Sequence, residues 1–268
     1  MKRLFFLAVL IIGAAAFKGG NLIAQEGFMA GNVLGIHVME YELAPGVTDE
    51  EVATFLKNKW IPAYEKHFQG VRAVPLRGDR GESKGRVGSV FVFETVALRD
   101  KYAPEKDTPS ELALVAMEKM KPVEEELSRL VTSWSTTYTD WEVIYSPFRS
   151  QGIPVAGNIM AIHTEHYELA PGVTDDEYME FFIGNMPEYE KIFPDIVLIG
   201  LKGIRGDNEG CIGQLLLFES DKVRARYWEG EGTSTDLGIA AMDKMIPLVI
   251  QAEKMASSST TYTDWLVE

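Results

Sequence analysis

Cysteine is nearly missing: Cys211 is the only one in 268 residues. An intramolecular disulfide is therefore excluded, and so is a cysteine zinc site. Stability must come from an apolar core, which a chain of this length can build. Positive charge is also short. Twenty-six Lys and Arg face 40 Asp and Glu, a formal charge of −14. Such a surface repels nucleic acid and anionic lipid, so neither is expected as a partner. No phosphate loop, dinucleotide fingerprint or nucleophile elbow occurs, which removes the commonest phosphate, nicotinamide and acyl-transfer chemistries. Long apolar runs are missing everywhere but at the start.

That start is informative. Met1-Lys-Arg3 precedes an almost wholly apolar stretch, Leu4 to Phe17. A basic head and an apolar run shorter than a membrane span have the form of a signal peptide. Residues 1–24 are read as that peptide, cut after Ala24, which makes the mature protein periplasmic or secreted with no membrane attachment; the alternative reading of the same run is an uncleaved N-terminal anchor. Cleavage removes Lys2, Arg3 and Lys18 and no acid, taking the charge from −14 to −17.

The chain then says one thing twice. Tyr41-Glu-Leu-Ala-Pro-Gly-Val-Thr-Asp-Glu-Glu51 returns as Tyr167-Glu-Leu-Ala-Pro-Gly-Val-Thr-Asp-Asp-Glu177, and Thr136-Thr-Tyr-Thr-Asp-Trp141 as Thr260-Thr-Tyr-Thr-Asp-Trp265. Repeat one is placed at 31–145, a linker at 146–156 and repeat two at 157–268. The repeats match at an offset of 126 near Gly31, 125 near Tyr64 and 124 at Trp141. The two net losses are expected in loops, where length changes are tolerated.

Inside repeat one, Val33–Leu43 reads as a strand. Pro45-Gly46 suits the centre of a type II turn. Thr48 with Glu51 forms a capping box for a helix over Asp49–His67. Strands follow near Val71–Leu76 and over Val87–Glu94. A second helix is expected over Ser110–Val131, with Leu112, Val115, Ala116, Val123, Leu127 and Leu130 on its apolar side, and then a strand over Ser135–Ile144. Pro62 and Pro122, matched by Pro187 and Pro247, predict a bend or break in every helix. The order β-α-β-β-α-β is the ferredoxin-like arrangement, an antiparallel sheet with its helices on one face. Leu34, Ile36 and Val38 would stand on the opposite, bare face, which a second copy can cover.

With an apolar first strand running into Leu43-Ala-Pro-Gly46, and again into Leu169-Ala-Pro-Gly172, each repeat resembles the dimeric α/β-barrel superfamily. That superfamily includes antibiotic-biosynthesis monooxygenase-like, EthD-like and NIPSNAP-like domains. The resemblance covers nearly the whole mature chain. It implies an α+β fold: two tandem ferredoxin-like repeats packed sheet to sheet as an intrachain pseudo-dimeric α/β barrel. It also implies that small ligands, haem among them in some families, bind between sheet and helices. Further association as a homodimer stays open.

His37 and His163 hold matching places on the first strands, with Tyr41 and Tyr167 four residues on and so on the same face. Met39 lies between the first pair and Glu165 between the second. That face should look into the space between sheet and helices, with Trp60 among the aromatics to wall it. The expected ligand-binding set is His37, Met39, Tyr41, Trp60, His163, Glu165 and Tyr167. A His there can serve as a base, a haem ligand or a core imidazole. His163 with Glu165 offers a metal two ligands, short of the three or four that zinc takes. Asp140 and Asp264 are expected to pair with Arg80 and Arg205. Three functions follow. The first is binding of a small apolar or aromatic molecule without a cofactor. The second is an enzyme, either resembling cofactor-independent monooxygenases with His37 or His163 as base, or handling haem. The third is a scaffold with no pocket.

Overall fold

The computed structural model describes residues 27–106, 108–147 and 154–268. The expected signal peptide and the middle of the expected linker lie outside them. Strand β1 is Val33–Leu43, whose even positions carry Leu34, Ile36 and Val38 to one face, as period-two alternation requires. Helix α1, Asp49–Phe55, starts at the expected capping box, with Thr48 and Glu51 each closing on the other's backbone N–H. A π-helical segment, Leu56–Trp60, leads into α2, Ile61–His67. Strands β2, Val71–Gly81, and β3, Val87–Phe93, form a hairpin. Then come α3, Val96–Tyr102, α4, Glu111–Leu127, and β4, Val131–Tyr145.

The order returns with β5, Ile159–Leu169, α5, Asp175–Ile192, β6, Val197–Gly206, and β7, Ile212–Phe218. It ends with α6, Asp221–Ala225, a small ribbon of β8, Trp228–Gly230, and β9, Thr233–Ser234, then α7, Asp236–Met255, and β10, Ala256–Val267.

Within each half the pairing order is fourth strand, first, third, second: β4-β1-β3-β2 and β10-β5-β7-β6. The halves join edge to edge. Strand β2 pairs antiparallel with β10, and β4 with β6, so eight strands close a barrel and no edge is left open. The inner faces share one core, in which Leu34, Ile36, Val90, Met160, Ile162, Leu215, Trp141 and Trp265 pack. Trp141 and Trp265, each 2% exposed, are the largest side chains there. The face carrying Leu34 and Ile36 is covered inside this barrel.

Three expectations need correction. Of the bend or break expected at each proline, a break is found only in the first helix, at the π segment before Pro62; α4, α5 and α7 are continuous through Pro122, Pro187 and Pro247. In α4 the buried stripe is Ala113, Ala116, Met120 and Leu127, while Leu112 and Val115 point to solvent. The stripe still follows helical spacing but is built on small residues, which let the helix lie close to the sheet. Neither α3 nor α6 was expected. No helix among the described residues is long and apolar enough to cross a membrane.

Candidate functional site

The odd positions of β1 face the helices, as expected. The neighbouring strand extends that face: Asp140, Tyr138, Thr136 and Trp134 stand opposite Gly35, His37, Met39 and Tyr41. In the second half most of the space between sheet and helices is taken by one continuous cluster, with Tyr178, Phe182, Met186, Tyr189 and Phe193 among its buried residues, leaving a cavity of about 230 Å3. In the first half the same space holds two separate clusters. One is built on Phe68, Phe91 and Met120, the other on Met39, Leu56 and Leu127. Between them lies a cavity of about 470 Å3, lined by residues of both. That is the size of a small-molecule site.

Eight aromatic side chains and three methionines stand among its lining residues. Trp60 stacks on Tyr64 at 5.1 Å, and Tyr64 on Phe68 at 4.1 Å. Met39, Met117 and Met120 add pliable surface. Few polar groups interrupt it. His37 lies flat against Tyr138 at 5.2 Å and meets Phe91 edge-on at 4.8 Å. It makes no hydrogen bond to another described residue. Burial holds its pKa down at about 4, so the ring is neutral at physiological pH. Glu124, at the helical wall, is pushed above the ordinary carboxylate range by burial.

At one end the cavity reaches a buried ion pair. Arg99 Nη1 on α3 donates to Asp140 Oδ2 at 3.0 Å, and Arg205 of the other half lines the same corner. Burial raises the Asp140 pKa against the pull of Arg99 and Arg205. Gly35 keeps this corner open. A Cβ there would stand 3.0 Å from Asp140 Oδ1 and 3.6 Å from His37 Nε2. The second half has Ala161 at the matching place.

Of the seven expected residues, His37, Met39 and Trp60 line this cavity together. The other four do not. Tyr41 donates to Asp49 Oδ1 at 2.8 Å, at the start of α1. Tyr167 donates to Asp175 in the same way. Glu165 accepts from Tyr178 at 2.6 Å, which spends the carboxylate on the core. His163 lines a separate cavity of about 230 Å3 with Arg80, Arg224, Trp228 and Asp264, and burial lowers its pKa as well. The expected partners of the aspartates are also replaced. Asp140 pairs with Arg99, and Asp264 with Arg224 at 2.6 Å. Arg80 and Arg205 instead donate to the backbone carbonyls of Trp228 and Ala103. Sequence reasoning missed both partners because they sit on α3 and α6, helices too short to show a period.

Among the described residues no cluster of three or more His, Cys, Asp or Glu could hold a metal ion. For haem, His37 is the one imidazole on the large cavity. A ligating histidine is normally oriented through a hydrogen bond on its other nitrogen, and His37 has none to a described residue.

No family model matches the sequence, and no curated protein matches it. Several solved structures are similar in fold over most of their length. One is an anthrone oxidase-like protein, at 11% identity, covering 90% of this chain and 94% of that one, with a TM-score of 0.48. Another is a Fusobacterium nucleatum protein with a provisional monooxygenase name, at 11% identity, 89% and 93% coverage and a TM-score of 0.47. A third is the encapsulated DyP-type peroxidase of Mycobacterium smegmatis, at 9% identity, 91% and 96% coverage and a TM-score of 0.43. The strand order, twice fourth-first-third-second in one closed ring, is that of a dimeric α/β barrel.

Proposed function

We propose that this protein binds one small, mostly aromatic molecule per chain, in the cavity of its first half. The observation that carries this is the contrast between the halves: in the space between sheet and helices one holds a cavity of about 230 Å3 beside His163, while the other holds about 470 Å3 against largely apolar walls. Apolar surface facing a void forfeits the contacts it would gain from close packing, which favours an occupant with matching surface. His37 supplies the orienting polar contact. As a neutral ring it can accept a hydrogen bond from a hydroxyl or N–H on the ligand. We take the two halves as copies of one ferredoxin-like unit, packed as an intrachain pseudo-dimer, of which one copy kept the site. We further take residues 1–24 to be removed on export, so that the ligand is met in the periplasm or outside the cell.

Native mass spectrometry of the protein purified from its own cells tests the binding reading. The expected result is a co-purified mass of one small molecule per chain that is lost on denaturation; a bare chain that also takes up no aromatic compound overturns it. N-terminal sequencing of the mature protein tests export, with the chain expected to begin at Gln25.

A second reading is enzymatic. His37 stands free at the cavity wall and could accept a proton from an acidic C–H or O–H of the bound molecule, as in the cofactor-independent monooxygenases that the sequence resembles. The burial that keeps it neutral also makes it a weak base, since efficient proton transfer wants a pKa near the working pH. Binding is therefore the better supported role. Haem is set apart by titration: the expected result is no saturable shift of the Soret band, and a saturable shift that His37→Ala abolishes would establish the haem alternative.

A further inference from the structure

The offset between the two halves changes twice. It is 126 through Phe55 and Phe181, 125 from Pro62 and Pro187 to Val131 and Ala256, and 124 from Thr136 and Thr260. The first half therefore carries two extra residues, and neither is in a loop. One falls in the π-helical segment Leu56–Trp60, where Ile61 N–H reaches back five residues to the Leu56 carbonyl; α5 passes the same point as plain α-helix. The other is Thr132. Leu43 pairs with Val131 and Glu42 with Ser133, so Thr132 is a β-bulge; β10 leaves Ala256 opposite β5 with no slip. Bulges of both kinds hold one residue outside the regular ladder, re-aim the side chains beside it, and collect near functional sites.

Both bulges border the same cavity. Leu56 and Trp60, the ends of the π segment, line it, and so do Trp134 and Thr136, just past the β-bulge. Trp134 is 51% exposed, an indole held half in water at the cavity's edge, and Ser258 takes the corresponding place opposite Tyr167. In the second half, without either insertion, Phe182 and Met186 are buried in the core, and the matching cavity shrinks to about 230 Å3 beside His163.

We infer that the two single-residue insertions are what opens the binding site of the first half, and that Trp60 and Trp134, which they aim at it, are the residues that select a flat ring system. This rests on the binding reading above and adds the source of its selectivity. The ligand class is a fused or substituted aromatic, stacking on indole.

The test uses the neutral fluorescent probe N-phenyl-1-naphthylamine, titrated into the mature protein and into three variants: deletion of Thr132, Trp134→Ser and Trp60→Met. Wild type should bind one probe per chain saturably. Trp134→Ser and Trp60→Met should each weaken binding roughly tenfold, the scale of a lost aromatic contact. Deletion of Thr132 should abolish saturable binding while cooperative thermal unfolding remains. The two Trp variants keep the test decisive should the deletion fail to fold. Wild-type affinity in all variants that fold overturns this inference alone. No saturable binding by wild type overturns the binding reading, and this inference with it.

Discussion

Arg99 and Asp140 form an ion pair with side chains 6% and 7% exposed, and the second half repeats it with Arg224 and Asp264, at 4% and 8%. In each half the aspartate precedes the tryptophan that fills the barrel core, while the arginine comes from a short helix outside it. The pair thus ties the outer layer to the inner one. Removing one member of a buried pair leaves the other charge uncompensated, which costs about 3–5 kcal/mol. Arg99→Ala and Arg224→Ala should each lose that much in urea denaturation. Loss below about 1 kcal/mol in both would show that the pairs do not fasten the layers.

The halves lock through two glycines. Gly81 and Gly206 have φ of +79° and +94°, and a Cβ would stand 2.1 Å from the carbonyl oxygens of Tyr262 and Tyr138, each on the strand of the other half. Positive φ and backbone contact act together here. Gly81→Ala should therefore destabilise the protein by at least about 2 kcal/mol. Gly46 also has positive φ, at +84°, but with nothing within 4 Å of a Cβ. Gly46→Ala should cost about 1 kcal/mol, the strain alone. Parallel thermal melts compare the two, and equal losses would argue against the interlock.

Much of this was legible in the chain, and the exceptions share a cause. Period-two alternation in Val33–Leu43 and the Thr48–Glu51 box are local, and both stand where the sequence put them. The recurring sequence with one bare face in each half led to the expectation of a cover over Leu34 and Ile36, and inner-face residues of both halves do share one core. The changes of offset are visible in the sequence too, and a loop is where a single insertion is tolerated most readily. They lie in a helix and a strand, where an extra residue must become a bulge. Nor could the residues show which half stays open. His37 and His163 match, yet Met39 faces the cavity and Glu165, its counterpart, is held by Tyr178. That difference depends on how side chains from distant segments fill one space.

The identity of the residue at 35 sets the room beside His37. Gly35→Ala installs the residue of the second half, with the new methyl 3.0 Å from Asp140 Oδ1, a contact that a shift of a few tenths of an ångström relieves. The fold should survive with a loss of about 1 kcal/mol, the ordinary scale of mild overpacking. Ligands whose polar end reaches His37 should weaken, and apolar probes at the Trp134 end should not. A titration series with and without a ring hydroxyl separates these outcomes, and equal weakening of both would place the polar contact elsewhere.

The protonation of His37 supplies a test that needs no ligand. Its pKa is lowered from 6.5 in the unfolded chain to about 4 in the fold. Above pH 6.5 the ring is neutral in both states and adds no pH dependence. As the pH falls from 6.5 towards 4, the unfolded chain takes up a proton that the folded protein refuses, and folding loses stability. The full loss is about 3 kcal/mol for a shift of this size. His37→Phe keeps the contacts with Tyr138 and Phe91 but has no proton to bind. In urea denaturation, wild type minus variant should therefore fall by about 2–3 kcal/mol between pH 7 and pH 4, whatever the other acidic groups contribute to both. A ligand that accepts nothing from His37 but donates to it should deepen this dependence, because it binds only the neutral ring. A flat difference across the range would mean that the imidazole meets water freely in the cavity, and that it is not the desolvated acceptor on which the binding proposal depends.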